Sequence, residues 1–453
     1  MPARESLKAR GEKIGKLLFG ATLTNQGRGY YVALELLALV RGTLEHSMEI
    51  LPASDVEMIQ IRRRSHDFAR RLMGEPRRLA QSELRWLGDE TTIATLSALI
   101  TGLCVPIPGR RRRPSWLGEH LYPYIGDLVH YDAAERKKRA KDKDVPEDLS
   151  FRVSIERYAY RGAGGLAHKI LRTDEDAERL EANREGLHEL VADSGTPLGQ
   201  LFRVLLQKDI GRDEGDVFEE KSEMAAEVNE TKWVQHLRTG TRRITARRSI
   251  PVAKRVEALM HWVPYCIARH QLEIAEQKLG VARSVIPVDC QSQSLSIRRV
   301  SREQLNRHHA MLLRALEMVA EERDPELLGP KKSKTWRDSC RSFYSGTLGT
   351  VGALNAMTGQ RYYSANPELL ETLVLASLEP QQEITFESFC HDVLLEDYGL
   401  VIDRASAVTC RELGLIDRSN FDDNAAFAAE SLRELGLLHD YSDMTRMVKG
   451  EMQ

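Results

Sequence analysis

Gly399-Leu400-Val401-Ile402, Gly414-Leu415-Ile416 and Gly436-Leu437-Leu438 each close a helix-like segment, and they punctuate the stretch 366–449 more regularly than any other part of the chain. Asn366 is suited to an N-cap, with Pro367 at the first helical position and Glu368 and Glu371 in or beside the first turn, where the helix dipole favours anions. Leu369, Leu370, Leu373, Val374 and Leu378 supply an inward stripe. Thr385 caps a second helix, whose Phe386, Phe389, Cys390, Val393 and Leu394 share one side before Gly399 stops it. Ala405 to Leu413 and Asp422 to Leu435 read as a third and a fourth. After Leu438, a polar turn at Ser442 and Asp443 leads into Met444-Thr445-Arg446-Met447-Val448, a returning strand.

Charge separates this stretch from what precedes it. Residues 366–449 hold 17 Asp and Glu against 6 Lys and Arg, a net of -11, within a chain of 453 residues whose net charge is -2. With Glu451 adding -1, residues 1–365 carry +10. An acidic module therefore ends a basic body. Hydrophobic residues at 42% and charged residues at 29% suit a folded protein rich in exposed helices, and the length allows two to four domains.

The body reads as mainly helical. In residues 5–50, the run Tyr30 to Val40 is apolar on nearly every face and predicts a buried helix ending at Gly42. From Ile61 to Arg113, 12 arginines stand against five acids. Arg62, Arg63, Arg70, Arg77 and Arg78 recur near helical spacing beside Arg64 and Arg71, and Arg110, Arg111, Arg112 and Arg113 sit in a loop held extended by Pro106, Pro108 and Pro114. These eleven arginines are the candidate nucleic-acid contacts, because phosphate neutralisation supplies most of such affinity. A single charge run is usually a solvated face; several runs close together favour the polyanion.

The segment 132–148 alternates basic and acidic residues and reads as a linker. In the middle region, 149–328, Phe151, Val153 and Ile155 suggest one short strand, Gly162 to Gly165 a loop, Val256 to Lys278 a helix interrupted at Pro264, and Val281 to Val300 the best strand candidate. Lys208 to Glu230 holds nine acids and three basic residues, whereas Arg238 to Arg255 holds seven basic residues and no acid. Such neighbours can pair within the fold. Residues 329–365 form a connector in which Gly346, Gly349 and Gly352 permit close backbone packing or a phosphate-sized approach. The expected organisation is therefore a basic helical domain (1–131), the linker (132–148), a mainly helical middle domain (149–328), the connector (329–365) and the acidic module (366–449).

Catalytic signatures are absent. No GxxxxGK[ST], G-x-S-x-G or kinase set occurs. His261, Cys266 and His270 lack further zinc ligands at a recognised spacing, with Cys290 and His308-His309 as the remaining candidates. Asp209 or Asp213 with Glu219-Glu220-Lys221 could hold Mg2+ in a nuclease, but such sites sit on paired strands and this acidic segment lacks strand character. No metal or cofactor is expected. Six scattered cysteines without a CxxC pair fit reduced thiols, and Leu17-Leu18-Phe19 is too short an apolar run for a signal peptide or membrane span, which places the chain in the cytoplasm.

Asn366-Pro367-Glu368-Leu369-Leu370-Glu371, and Leu435-Gly436-Leu437-Leu438 through Tyr441-Ser442-Asp443, resemble winged-helix ends seen in many bacterial DNA-associated proteins. The likeness covers under a fifth of the chain. It implies a recognition helix at Asp422 to Leu435, but Asp422, Asp423, Glu430 and Glu434 against Arg433 would be repelled by a duplex. Protein contact is the better use of the module. The whole chain is also loosely similar to accessory proteins of bacterial multi-gene phage-defence and restriction-like systems. The expectation is a mainly α, multidomain, non-catalytic adaptor. Its basic body touches DNA or RNA, its acidic winged-helix-like domain binds a partner protein, and no membrane is involved. The alternatives are a metal-dependent nuclease centred on Asp213, Glu219 and Lys221, and a structural scaffold whose arginines pair internally.

Overall fold

The computed structural model describes, with short interruptions, residues 6–52, 162–192, 228–410 and 413–451, the backbone of four strands between 58 and 223, and a few isolated positions at 89–98 and 200. The chain is mainly α. Two helices open it, α1 (Leu7–Phe19) and α2 (Tyr31–Glu45). Strands β1 (Met58–Ser65), β2 (Tyr131–Lys138) and β3 (Phe151–Glu156) follow, then α3 (Ala163–Arg172), α4 (Ala177–Val191) and β4 (Val217–Glu223). The middle is built from α5 (Lys232–Thr245), α6 (Val252–Leu279), β5 (Ile286–Pro287), α7 (Leu295–Arg323) and α8 (Lys334–Thr350). The rest comprises α9 (Pro367–Ser377), β6 (Glu383–Thr385), α10 (Phe386–Ser388) leading into a π-helix at Phe389–Asp397, β7 (Leu400–Val401), α11 (Arg404–Thr409), α12 (Ser419–Glu434), β8 (Leu438–Asp440) and β9 (Arg446–Lys449). Among the described residues no helix is long and apolar enough to cross a membrane.

Helix α6 is the mast of the body. Trp262, Val263 and Ile267 have no solvent exposure, and α6 packs against α2, α5, α7, α8 and α9. It runs through Pro264 without ending, contrary to the interruption expected there. A proline removes one backbone donor, and packing on every side holds the remaining turns. Helix α2 is buried all round, as its composition predicts, and continues past Gly42 to Glu45. A glycine inside a helix costs only about 1 kcal/mol relative to alanine.

The stretch 162–165 is a helix start rather than a loop. Gly162 caps α3 in the left-handed region at φ 101. The Glu35 carboxylate accepts from the N–H groups of Gly162 (2.9 Å) and Gly164 (3.0 Å), so the anion that a glycine-rich helix start attracts is supplied by α2. A Cβ on Gly164 would lie 2.3 Å from the Glu35 Cβ and 2.6 Å from the Val32 carbonyl oxygen. Gly352 is likewise filled from within: at φ 81, its missing Cβ faces the Asn366 side chain at 2.1 Å, so no phosphate-sized space opens there.

Three expectations about strands are corrected. Arg62, Arg63 and Arg64 lie on β1, not on a helix. The first part of the segment 132–148 is β2, not linker. The acidic segment read as lacking strand character contains β4. These strands form a mixed sheet in the order β3-β2-β1-β4, with β1 parallel to β2 and antiparallel to β4. The register sets Arg62 opposite Glu219 and Gln60 opposite Lys221. Conversely, Val281 to Val300 yields only β5, because Ser294 caps α7 by accepting from the Ile297 N–H (3.3 Å) and converts the rest to helix.

The C-terminal punctuation matches the sequence closely. Asn366 Oδ1 accepts from Leu369 N–H at 2.9 Å with Pro367 at N1, Thr385 Oγ1 accepts from Ser388 N–H at 3.0 Å, and Gly399 turns the chain at φ 67. Strands β6, β9 and β8 form an antiparallel sheet in that order. One apolar core is continuous from Ile14 to Val448, and a smaller one gathers Ile297, Val401, Leu413 and Phe421. The acidic stretch 366–449, 84 residues long, is thus built onto the body.

Gly164→Ala is expected to destabilise the chain by about 1–3 kcal/mol, because the backbone and Glu35 leave no space for a methyl group. The urea midpoint of the variant against the parent chain checks this.

Candidate functional site

Most of the basic block 238–255 is spent inside the fold, Arg248 being exposed. Arg238, 2% exposed, donates to the Ile170 carbonyl (2.9 Å), the Thr173 carbonyl (3.1 Å) and Glu230 (3.1 Å). Arg242 and Arg243 converge on Glu379, with Arg243 Nε at 2.9 Å. Arg255 donates to the Thr245 carbonyl and to Glu189, each at 2.8 Å. Arg247 is buried and donates to the carbonyl oxygens of Leu375 (3.0 Å), Leu378 and Gly450. Burial lowers its pKa to about 10. The block's arginines are thus partnered by Glu189, Glu230, Glu379 and backbone carbonyls.

The histidine and cysteine candidates are structural as well. His261 Nδ1 meets the Val351 carbonyl oxygen at 3.2 Å, His270 Nδ1 meets Thr231 Oγ1 at 2.8 Å, and burial pushes the Cys266 thiol up. Among the described residues no three His, Cys, Asp or Glu side chains are grouped to hold a metal ion. His308 Nδ1 and Tyr344 Oη both meet the Tyr363 hydroxyl, at 2.5 and 2.7 Å. Beside this seam, the Arg269 guanidinium lies 4.8 Å over the Trp233 ring and donates to the Tyr398 carbonyl oxygen at 3.0 Å. The cavity there, lined by Tyr265, Arg269, Tyr363 and Ser364, measures about 10 Å³. That is room for about one water and not for a substrate.

What remains available to a partner lies on the surface. Helix α12 buries Phe421, Asn424, Ala428 and Leu432, and turns Asp422, Asp423, Ala426, Phe427, Glu430, Arg433 and Glu434 outward. Phe427 is 48% exposed. Arg433 is held by Asp440 (2.8 Å) and Glu430, and Asp422 lies 3.5 Å from Arg404. Asp423 and Glu434 have no ion pair among the described residues. The sequence marked the acids but not the phenylalanine. Its signal is the phase of the helix: the inward positions fall at 421, 424, 428 and 432, and 427 is one residue off that stripe.

Of the arginines singled out from the sequence, Arg62, Arg63 and Arg64 stand on the backbone of β1. Arg70, Arg71, Arg77, Arg78, Arg110, Arg111, Arg112 and Arg113 lie outside the described residues. Asp209 and Asp213 do too, whereas Glu219 and Lys221 stand two apart on β4. No protein-family model, curated protein or solved structure matches the chain.

The buried histidines give the fold an acid-sensitive limit. Burial lowers His168 to about 3, His261 to about 4 and His270 to about 4, against an ordinary value of 6.5. Below pH 6.5 the unfolded chain takes up protons that the folded chain refuses. Stability is therefore expected to fall as pH drops from about 6.5 to about 4, by up to about 1.4 kcal/mol per pH unit for each histidine. Thermal midpoints across that range check the slope, which His168→Gln should reduce.

Proposed function

We propose that the chain is a non-catalytic, nucleic-acid-associated component of a multi-protein assembly of the kind used in bacterial phage defence. In this reading the basic body contacts DNA or RNA, and the acidic C-terminal segment docks onto a partner protein. The observation that carries the second half is the outward face of α12, an exposed aromatic ring in an acidic surround. Interfaces are anchored by buried aromatic side chains, and rim charges steer the approach of an oppositely charged partner. The matching surface is a basic one with an apolar pocket for Phe427.

The order of elements supports reading this segment as a winged helix. Helix α9, strand β6, the α10 and π-helical stretch, α11, α12 and the hairpin β8–β9 follow one another, and β9 lies between β6 and β8. In a DNA-reading winged helix, α12 would enter the groove. Its Asp422, Asp423, Glu430 and Glu434 favour a protein surface instead. The first half of the reading rests on the arginine density of 61–113.

One observation favours a second reading, a metal-dependent nuclease. Glu219 and Lys221 stand two residues apart on β4, in a sheet whose neighbouring strand β1 sets Arg62 across from Glu219 in register. Paired strands are the setting that a carboxylate and lysine site of this type requires.

Two measurements separate these. Co-purification of the intact tagged chain from its host is expected to recover a stoichiometric partner, lost at least tenfold with Phe427→Ala combined with Asp423→Lys; equal recovery would sink the docking face. Incubation with duplex and single-stranded DNA in Mg2+ is expected to leave both uncut. Cleavage abolished by Glu219→Ala would establish the nuclease instead.

A further inference from the structure

Helix α7 carries a second concentration of arginine, part of which the fold leaves without a carboxylate. Between Leu295 and Arg314, five arginines stand against one acid, Glu303. The segment 360–365 is fastened along α7: Tyr363 N–H donates to Ser301 Oγ at 2.6 Å, and Ser301 Oγ donates to the Tyr363 carbonyl oxygen at 3.2 Å. This brings Arg361 beside the helix. Arg298 is satisfied, with its Nε 2.7 Å from the buried Asp289 and its guanidinium 5.2 Å over the Tyr362 ring. One turn on, Arg302 has no carboxylate partner among the described residues, and its Nε is buried without an acceptor. Arg299 and Arg361 have no carboxylate partner there either.

The local field is positive. Besides burial, the charges of Arg341 and Arg361 lower His309, which donates to or accepts from Ser345 Oγ at 2.5 Å. Arg341 is offset by Asp338 at 3.0 Å, and Arg361 is not offset. The buried Asp289 is already taken by Arg298 and Ser292.

We propose that the outward face of α7 and the adjoining residues 360–362, centred on Arg299, Arg302 and Arg361, bind the sugar-phosphate backbone of a nucleic acid. The inference rests on the reading of the chain as nucleic-acid-associated and adds to it a surface built from residues other than the arginines of 61–113. Guanidinium groups suit phosphate, which they engage bidentately. From residue 298 to residue 309 the helix advances about 16 Å, the axial length of about five phosphates along one strand. Among the described residues this face exposes no aromatic ring, Tyr362 being only 8% exposed, so it lacks the anchor a protein partner would use.

The test is fluorescence anisotropy of the intact chain with a labelled 25-nucleotide DNA, single-stranded and duplex, across 50–200 mM salt. Arg302→Gln with Arg361→Gln is expected to weaken binding about tenfold and to lower the salt slope by about 1–2, the value for one or two lost phosphate contacts. Arg361→Glu, outside the helix, should weaken it comparably without touching α7. Arg248→Gln, at an exposed arginine elsewhere, should leave binding unchanged, and thermal midpoints identify any variant that misfolds. Parent-like affinity and slope in both patch variants would overturn the proposal alone. So would displacement of the DNA by polyglutamate as effective as by unlabelled DNA. No binding by the parent chain at 50 mM salt would overturn the broader reading with it.

Discussion

A guanidinium buried among backbone carbonyls ties this molecule together. Arg247 is 1% exposed, and its two terminal nitrogens donate to the carbonyl oxygens of Leu375 and Leu378 at the end of α9 and of Gly450 after the last strand. A charge taken out of water is tolerated only where such acceptors surround it. The end of α9, the last strand and the α5–α6 turn that carries Arg247 therefore fix one another. The same logic recurs along the seam. Arg269 donates to the Tyr398 carbonyl, Arg283 to those of Glu396 and Asp397, and the buried Asn424 joins Val288, Cys290 and Ile402. Helix ends and extended segments leave carbonyls without intrahelical partners, and the body's long polar side chains meet them.

This seam changes what the acidic C-terminal segment is. Its net charge of -11 sets it apart in the sequence, but most of its buried apolar residues belong to the same core as α2 and α6. Some of its carboxylates serve the fold: Glu379 holds Arg242 and Arg243, Glu383 lies 2.9 Å from Lys449, and Glu387 lies 2.7 Å from Arg446. The unpaired charge is smaller than the formal count, and part of it, at Asp423 and Glu434, lies on the exposed side of α12. The body shows the same division. Its block at 238–255 is absorbed by Glu189, Glu230, Glu379 and carbonyls, whereas Arg299, Arg302 and Arg361 stay uncompensated.

Charge density along a sequence thus says little about which charges face solvent. Arg247, in the α5–α6 turn, and Arg302, on α7, both belong to arginine-rich stretches of sequence. One points at three carbonyls, and the other has no carboxylate partner among the described residues. Only the chain returning from more than a hundred residues away makes that difference.

The sequence by itself determined the mainly α character, the all-round burial of α2, and the caps at Asn366, Thr385 and Gly399. Each of these is a local matter of hydrophobic phase or of a few backbone donors and acceptors. Tertiary structure decided the rest. The strands β1, β2 and β4 are charged and lack the apolar alternation of a half-buried strand, so only their partners reveal them. Helix α6 continues through Pro264 because surrounding helices cover it, and Ser294 turned a β-rich composition into the start of α7. Which arginines are spent and which are open followed from contacts distant in sequence, whose electrostatic environment no local pattern encodes.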